Sequence, residues 1–187
     1  MSISKDNSKI ELASKLFPEF PILGFLFKKP AYGYELFQSL QELKNTWRFS
    51  LGQVYNILNR LETADYVKSI ILDKEKLPAK RYFSITVKGK KHFLDWIRKT
   101  TPISVRAIRI EFLTRLYFTR KLFPGLIDQI FNDQIELVND SLSDLREEMT
   151  LTPAEEVFNL MNIDFRIKQI ESTLYWLNEC RKVFEEH

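Results

Sequence analysis

Apolar residues recur along most of this chain at steps of three and four, the spacing of helices with one buried face, and the pattern breaks in only a few places. Residues 1–17 open polar and turn apolar only at Ile10, Leu12, Leu16 and Phe17, as an arm or a short packing helix would. Phe20 to Phe27 is a continuous apolar run closed by Lys28-Lys29-Pro30, where the proline sets a helix end or a turn. From Ala31 to Leu43, Tyr32, Leu36, Phe37, Leu40 and Leu43 predict a helix with one covered side. Ser50-Leu51-Gly52-Gln53 forms a capping box, because a serine followed three residues later by glutamine satisfies two orphan backbone amides reciprocally. The helix it starts carries the apolar stripe Val54, Ile57, Leu58 and Leu61. Val67 to Asp73 and Arg81 to Thr86 are rich in β-branched and aromatic residues and predict a hairpin around the tip Lys74-Glu75-Lys76-Leu77-Pro78-Ala79-Lys80. A helix from about Thr86 to Thr100 follows, and Thr101-Pro102 interrupts it.

Everything beyond that break reads as helical. One helix spans about Ser104 to Leu122, a second runs from beyond Pro124-Gly125 to about Met149, and Thr152-Pro153-Ala154-Glu155 offers an N-cap, a first-turn proline and a capping-box glutamate for a third. In the third, Ile163, Ile167, Ile170, Leu174, Leu177 and Phe184 follow a coiled-coil seam broken by Arg181. A helix roughly 50 Å long on so short a chain calls for a partner. The expected fold class is therefore mainly α with a small β-hairpin. A module of helices and one hairpin fills 1–102, residues 1–17 being an arm or tail, and an all-helical, coiled-coil-like dimerisation domain fills 103–187. The dimer surface is expected at Ile108, Phe112, Leu116, Ile163, Ile167, Ile170, Leu174 and Leu177.

Charge sharpens this division. The formal net charge is +3, yet residues 1–105 hold 18 basic and 10 acidic side chains, whereas residues 106–187 hold 10 and 15. The first part suits a polyanion. A single cysteine, Cys180, rules out an internal disulfide and suits a reducing compartment. Met1 to Ser8 is polar and Pro21 to Phe27 is too short to span a bilayer, so a cytoplasmic protein without a membrane is expected. Catalytic patterns do not assemble: the histidines are His92 and His187, Cys180 has no histidine near it in sequence, no zinc spacing occurs, and the five glycines are scattered. We expect no enzyme, no cofactor and no metal. His92 reads as a helix residue rather than a base.

The order helix, helix, capped helix, basic-tipped hairpin is that of a winged helix-turn-helix, whose third helix enters the major groove. Opposite its apolar stripe, the helix that Ser50 starts presents Gly52, Asn56, Asn59 and Thr63, flanked by Gln53, Arg60 and Tyr55. Asparagine and glutamine amides pair bidentately with adenine edges, Arg60 suits guanine or phosphate, Gly52 permits close approach of backbone to phosphate, and Tyr55 can donate to phosphate. Around the wing, Lys74, Lys76, Lys80 and Arg81 gain affinity for a duplex by releasing counterions. Lys88, Lys90 and Lys91 open the next helix, where cations oppose the helix dipole unless phosphates are near.

Four segments in this order resemble the PadR family of regulators: Phe20-Pro21-Ile22-Leu23-Gly24-Phe25-Leu26, Tyr32-Gly33-Tyr34-Glu35-Leu36, Val54-Tyr55-Asn56-Ile57-Leu58-Asn59-Arg60-Leu61-Glu62, and Arg81-Tyr82-Phe83-Ser84-Ile85-Thr86-Val87-Lys88-Gly89. The resemblance covers about residues 20–100. It implies a dimeric repressor or activator with Tyr55, Asn56, Asn59 and Arg60 on the recognition helix and Lys80 and Arg81 in the wing. The chain departs from the family with Asn56 where proline is usual and Asp65 where glycine is usual. Asp65 can still take a left-handed cap. The acidic second part is similar to the virulence-activator-like helical domain of one branch. A repressor acting on a pseudo-palindromic operator is the reading that follows. Two further readings stay open: a helical adaptor that binds protein and not DNA, and a small aromatic effector held by Trp96, Phe112, Tyr117 and Phe118.

Overall fold

The computed structural model describes residues 17–74 and 77–186, so the arm at 1–16, Lys76 and His187 lie outside the described residues. Helix α1, Glu19–Lys28, buries Phe20, Pro21, Ile22, Leu23, Gly24, Phe25 and Leu26 all round, as only an element with neighbours on every side does. Where one helix was expected from Ala31 to Leu43, three short pieces occur instead: strand β1, Ala31–Tyr32, helix α2, Gly33–Ser39, and a 3-10 turn, Leu40–Leu43. The first piece is extended because Ala31 and Tyr32 pair with Phe83 and Tyr82. Helix α3, Leu51–Thr63, begins at the expected capping box, Ser50 Oγ accepting from Gln53 N at 3.2 Å and Gln53 Oε1 from Ser50 N at 2.8 Å. Its stripe Val54, Ile57, Leu58 and Leu61 is buried. The helix ends at Ala64, and Asp65 follows at φ 59°, the left-handed conformation expected of it.

Strands β2, Val67–Lys74, and β3, Leu77–Ile85, form the hairpin and pair antiparallel from Val67↔Ile85 to Lys74↔Leu77, with an irregularity between Leu72 and Lys74. With β1 they make a three-stranded sheet in the order β1-β3-β2. Helix α4, Val87–Arg98, is capped by Thr86. Helix α5 then covers 105–122 and changes pitch: Val105–Ala107 is α-helical, Ile108–Phe112 is π-helical, and Leu113–Leu122 returns to α.

Helices α6, Ile127–Leu151, and α7, Val157–Glu186, form an antiparallel hairpin. Arg181 bonds Asn132, Arg146 bonds Glu171, and Phe131 meets Phe184 edge-on at 5.7 Å. The N-cap expected at Thr152 does not form. Its hydroxyl donates back to Glu148 O at 2.8 Å, residues 153–156 turn, and Leu160 N bonds Glu156 O where α7 begins. The coiled-coil seam is also covered by the chain itself, since Ile163 and Leu177 are buried and Ile170 and Leu174 pack on the core. Ile108, Phe112 and Leu116 are buried as well. The reason lies in α7, which is apolar on two sides. Val157, Phe158, Met161 and Phe165 remain exposed, within about 100° of one another and nearly opposite the seam, counting about 100° per residue.

One apolar cluster runs from α1 through α7. Phe20 stacks on Trp96 at 4.4 Å, and Phe118 meets Phe25 and Phe93 edge-on at 5.3 and 5.6 Å. Within it Arg115, 2% exposed, pairs with Glu111 at 2.5 Å and donates to Lys99 O. Trp96 Nε1 donates to Glu111 at 3.0 Å, and the guanidinium lies 5.1 Å from the Trp96 ring. Burial pushes Arg115 down to about 10, so it keeps its charge at neutral pH.

Removing one partner of this pair strands a buried charge, so Glu111→Leu should lower unfolding free energy by about 3–5 kcal/mol, with Glu111→Leu/Arg115→Met distinctly milder in the same denaturant titration. Against the same Phe20 ring lies His92, which stacks on Tyr66 at 4.3 Å, and burial lowers its pKa from its ordinary 6.5. The unfolded chain then binds that proton more readily than the folded one. Stability should be flat above the ordinary value and fall as pH drops through it, and His92→Phe should flatten that slope in pH-dependent melts.

Candidate nucleic-acid interface

Helix α3 turns its apolar stripe inward, which leaves Ser50, Gly52, Gln53, Tyr55, Asn56, Asn59 and Arg60 exposed, as the sequence predicts for a recognition surface. An added Cβ at Gly52 would meet nothing within 4 Å, so backbone is open to an approaching ligand there. Gln53 is partly committed, because its amide oxygen serves the capping box. Tyr55 stands 37% exposed at the edge of the face.

Tyr55 also explains Gly33. A Cβ at Gly33 would come within 2.6 Å of the Tyr55 ring, so the N-terminus of α2 must be bare for the tyrosine to lie over it. Tyr32 caps α2 from its own side: its backbone N donates to Glu35 Oε2 at 3.0 Å. Tyr32, Tyr34, Glu35, Gln38, Tyr55, Lys80 and Arg81 together line a cleft of about 620 Å³ between α2, α3 and β3. The tyrosine hydroxyls, Lys80 and Arg81 bring hydrogen-bond donors to this cleft beside α3, and Glu35 adds one carboxylate.

The wing cations divide. Lys80 is exposed on β3, and nothing is described for the side chain of Lys74 or for Lys76. Arg81, expected to face a duplex freely, is half-buried and held instead. Its Nη1 donates to Asn59 Oδ1 at 3.0 Å, its Nη2 pairs with Glu62, and Nε and Nη2 reach Ser69 Oγ at 3.2 and 3.1 Å. Ser69 donates to Glu62 Oε1 at 2.6 Å, and that bond, ahead of Arg81, holds the Glu62 carboxyl below its usual range. Sequence spacing gave no sign of this network, because its members sit on three elements. Of the lysines opening α4, Lys88 bonds Ala64 O at 2.8 Å, thereby capping the end of α3.

The aromatic ring expected to hold an effector does not assemble. Trp96, Phe112 and Phe118 are buried, Trp96 against Phe20, Phe112 against Phe131, and Phe118 among Phe25, Phe93 and Tyr117. Tyr117 turns to Glu42 and Lys121. Aromatic side chains scattered at those positions fill core space on different sides of α5. A groove of about 410 Å³ lies elsewhere, between α5 and α7, lined by Val105, Ile108, Arg109, Leu113, Gln169 and Trp176 among others. Among the described residues no cluster of histidine, cysteine and carboxylates could hold a metal ion, and no helix is long and apolar enough to cross a membrane.

The chain is similar to several known proteins. The family model described as "Transcriptional regulator PadR-like family" matches residues 22–95. A Bacillus subtilis protein described as "Negative transcriptional regulator PadR" is 26% identical over 129 residues, which cover 68% of this chain and 70% of that one. Among solved structures, Bacillus subtilis PadR in complex with operator DNA shares 21% identity, covering 89% of this chain and 98% of its own at a TM-score of 0.45. A Streptococcus mutans protein shares 26%, covering 88% and 98% at the same TM-score of 0.45.

Two glycines allow a paired test of how firmly each part is held. Gly24→Ala drives a methyl into the buried Phe118 ring and should cost about 1–3 kcal/mol in thermal or urea unfolding. Gly33→Ala meets only the far end of Tyr55, so stability should stay within about 1 kcal/mol of the parent. The Tyr55 ring should nevertheless move, visible as a shift of its ring proton resonances.

Proposed function

We propose that the chain, whose residues 22–95 match the PadR-like family of transcriptional regulators, acts as a homodimer on duplex DNA, each copy laying α3 in the major groove. The observation that carries this reading is the uncovered amide face of α3, joined through Tyr55 to the tyrosine and lysine cleft at the base of the wing. Base edges would meet Asn56, Asn59 and Arg60, while Lys80, Tyr55 and the backbone at Gly52 would meet phosphates. The Bacillus subtilis relative is described as a negative regulator, and repression is the sense we assign here.

Division of labour follows from the same surfaces. We assign DNA binding to residues 1–102 and pairing to residues 103–187. The exposed side of α7 at Val157, Phe158, Met161 and Phe165 supports pairing, because large apolar side chains clustered on a regular helix face are unfavourable in water. Pairing there would set two recognition helices about 34–36 Å apart on a pseudo-palindrome. We assign the expected small aromatic effector to the groove beside Trp176 and Arg109 rather than to the core rings. No catalytic step is assigned to the chain.

Fluorescence anisotropy on genomic fragments, including the upstream region of its own gene, tests the reading. Affinity should exceed that for random duplex and fall steeply with salt. Lys80→Ala should weaken all sequences about equally and lower the salt slope by about 1. Phe158→Asp/Phe165→Asp should shift light scattering from dimer to monomer. Equal affinity for genomic and random duplex would overturn the regulator assignment.

A further inference from the structure

The Arg81 network has a chemical consequence for what α3 reads. A guanidinium carries only donors, so the atom of Asn59 that meets Nη1 at 3.0 Å is necessarily the carbonyl oxygen. Flipping the amide would set its NH2 against a cation. Nor is Arg81 at liberty to leave, since Glu62 pairs with it, Ser69 accepts from it twice, and its guanidinium lies 4.9 Å from the centre of the Phe83 ring. In a carboxamide, oxygen and nitrogen point to opposite sides of the terminal carbon. With Oδ1 turned to the wing, the Nδ2 amide group is the end of Asn59 that Arg81 does not hold.

Resting on the DNA-binding reading above, we propose that Arg81 fixes Asn59 as a hydrogen-bond donor toward the major groove, so that Asn59 selects guanine and not adenine. Guanine presents two acceptors there, N7 and O6. Adenine presents N7 beside the N6 amine, and the bidentate contact usual for asparagine needs the amide oxygen and amine side by side facing the base. The oxygen keeps a second lone pair, but its bond to Arg81 turns it toward the wing and away from that side-by-side arrangement. Cytosine offers a donor at the same edge, and thymine places a methyl group beside its single acceptor. The adenine preference expected from residue type alone is thereby reversed by a side chain on another element. Arg81 is a positioning residue in this scheme, and Asn59 touches the base.

Selection of bound sequences from a random duplex pool, followed by affinity measurement with full-length protein, tests the proposal. For the parent, one position in each half-site should favour guanine over adenine by about fivefold or more, and 7-deazaguanine placed there should weaken binding. Asn59→Ala should erase the preference at that position alone. Asn59→Asp keeps an oxygen for Arg81 and replaces the donor by an acceptor, so it should move the preference to cytosine. Arg81→Ala should bring adenine and guanine within about twofold at that position. If the position sensitive to Asn59→Ala favours adenine, or if Asn59→Asp retains guanine, the proposal is overturned. It is overturned equally if Arg81→Ala weakens every sequence alike and leaves the preference intact. Failure of the parent protein to enrich any sequence would overturn the DNA-binding reading and this proposal with it.

Discussion

The buried pair of Glu111 and Arg115 governs how the parts of this protein sit together. Two charges removed from water are tolerable only when each is held by the other and by further hydrogen bonds, and here those bonds come from the preceding helix, through the Trp96 indole and the Lys99 carbonyl. Helix α5 therefore cannot slide or rotate against α4 without breaking an ion pair in the core. The π-helical stretch at Ile108–Phe112 ends one residue beyond Glu111, and the change of pitch sets the rotation of everything after it. Two more contacts bind the same helix to the amino-terminal module: Trp47 Nε1 donates to Thr114 Oγ1 at 2.7 Å, and Lys121 pairs with Glu42.

Within the module so anchored, α3 is fixed at both ends and along one edge. Ser50 and Gln53 close its first turn, Asp65 turns the chain left-handed after its last, and the Lys88 ammonium meets the Ala64 carbonyl. Arg81 ties its outer edge to the wing. A helix held in this way presents its outward side chains with little freedom to adapt. That is the condition under which a few amides discriminate among base edges, because ordering costs are met on folding rather than on binding.

Features confined to a few consecutive residues were legible in the sequence. The capping box at Ser50, the buried stripe of α3, the hairpin and the left-handed Asp65 all depend on neighbours within about one helical turn or one strand pair. What escaped depends on distant partners. Strand β1 exists only because Ala31 and Tyr32 find Phe83 and Tyr82, some fifty residues on. Glu111 and Arg115 look like surface charges until α4 covers them. The seam of α7 was recognisable, but periodicity cannot say whether a stripe is met by the same chain or by another, and a second apolar side masked which one stays open. Arg81 followed the same logic: its charge was legible, and its partners on α3 and β2 were not.

The segment joining α4 to α5 is short and is held through the backbone of Thr101. The Gln134 side chain accepts from Thr101 N at 2.6 Å and donates to Thr101 O at 2.9 Å, as a neighbouring strand would, and Thr101 is wholly buried. Such a joint does not behave as a tether whose length can be tuned. Lengthening it would expel Gln134 and unseat the backbone it holds, so any change in the reach of the molecule has to be made in its long helices. The placement of α3 relative to the long helices is accordingly a property of the folded framework, inherited from core geometry and insensitive to the flexibility that usually separates one module from the next.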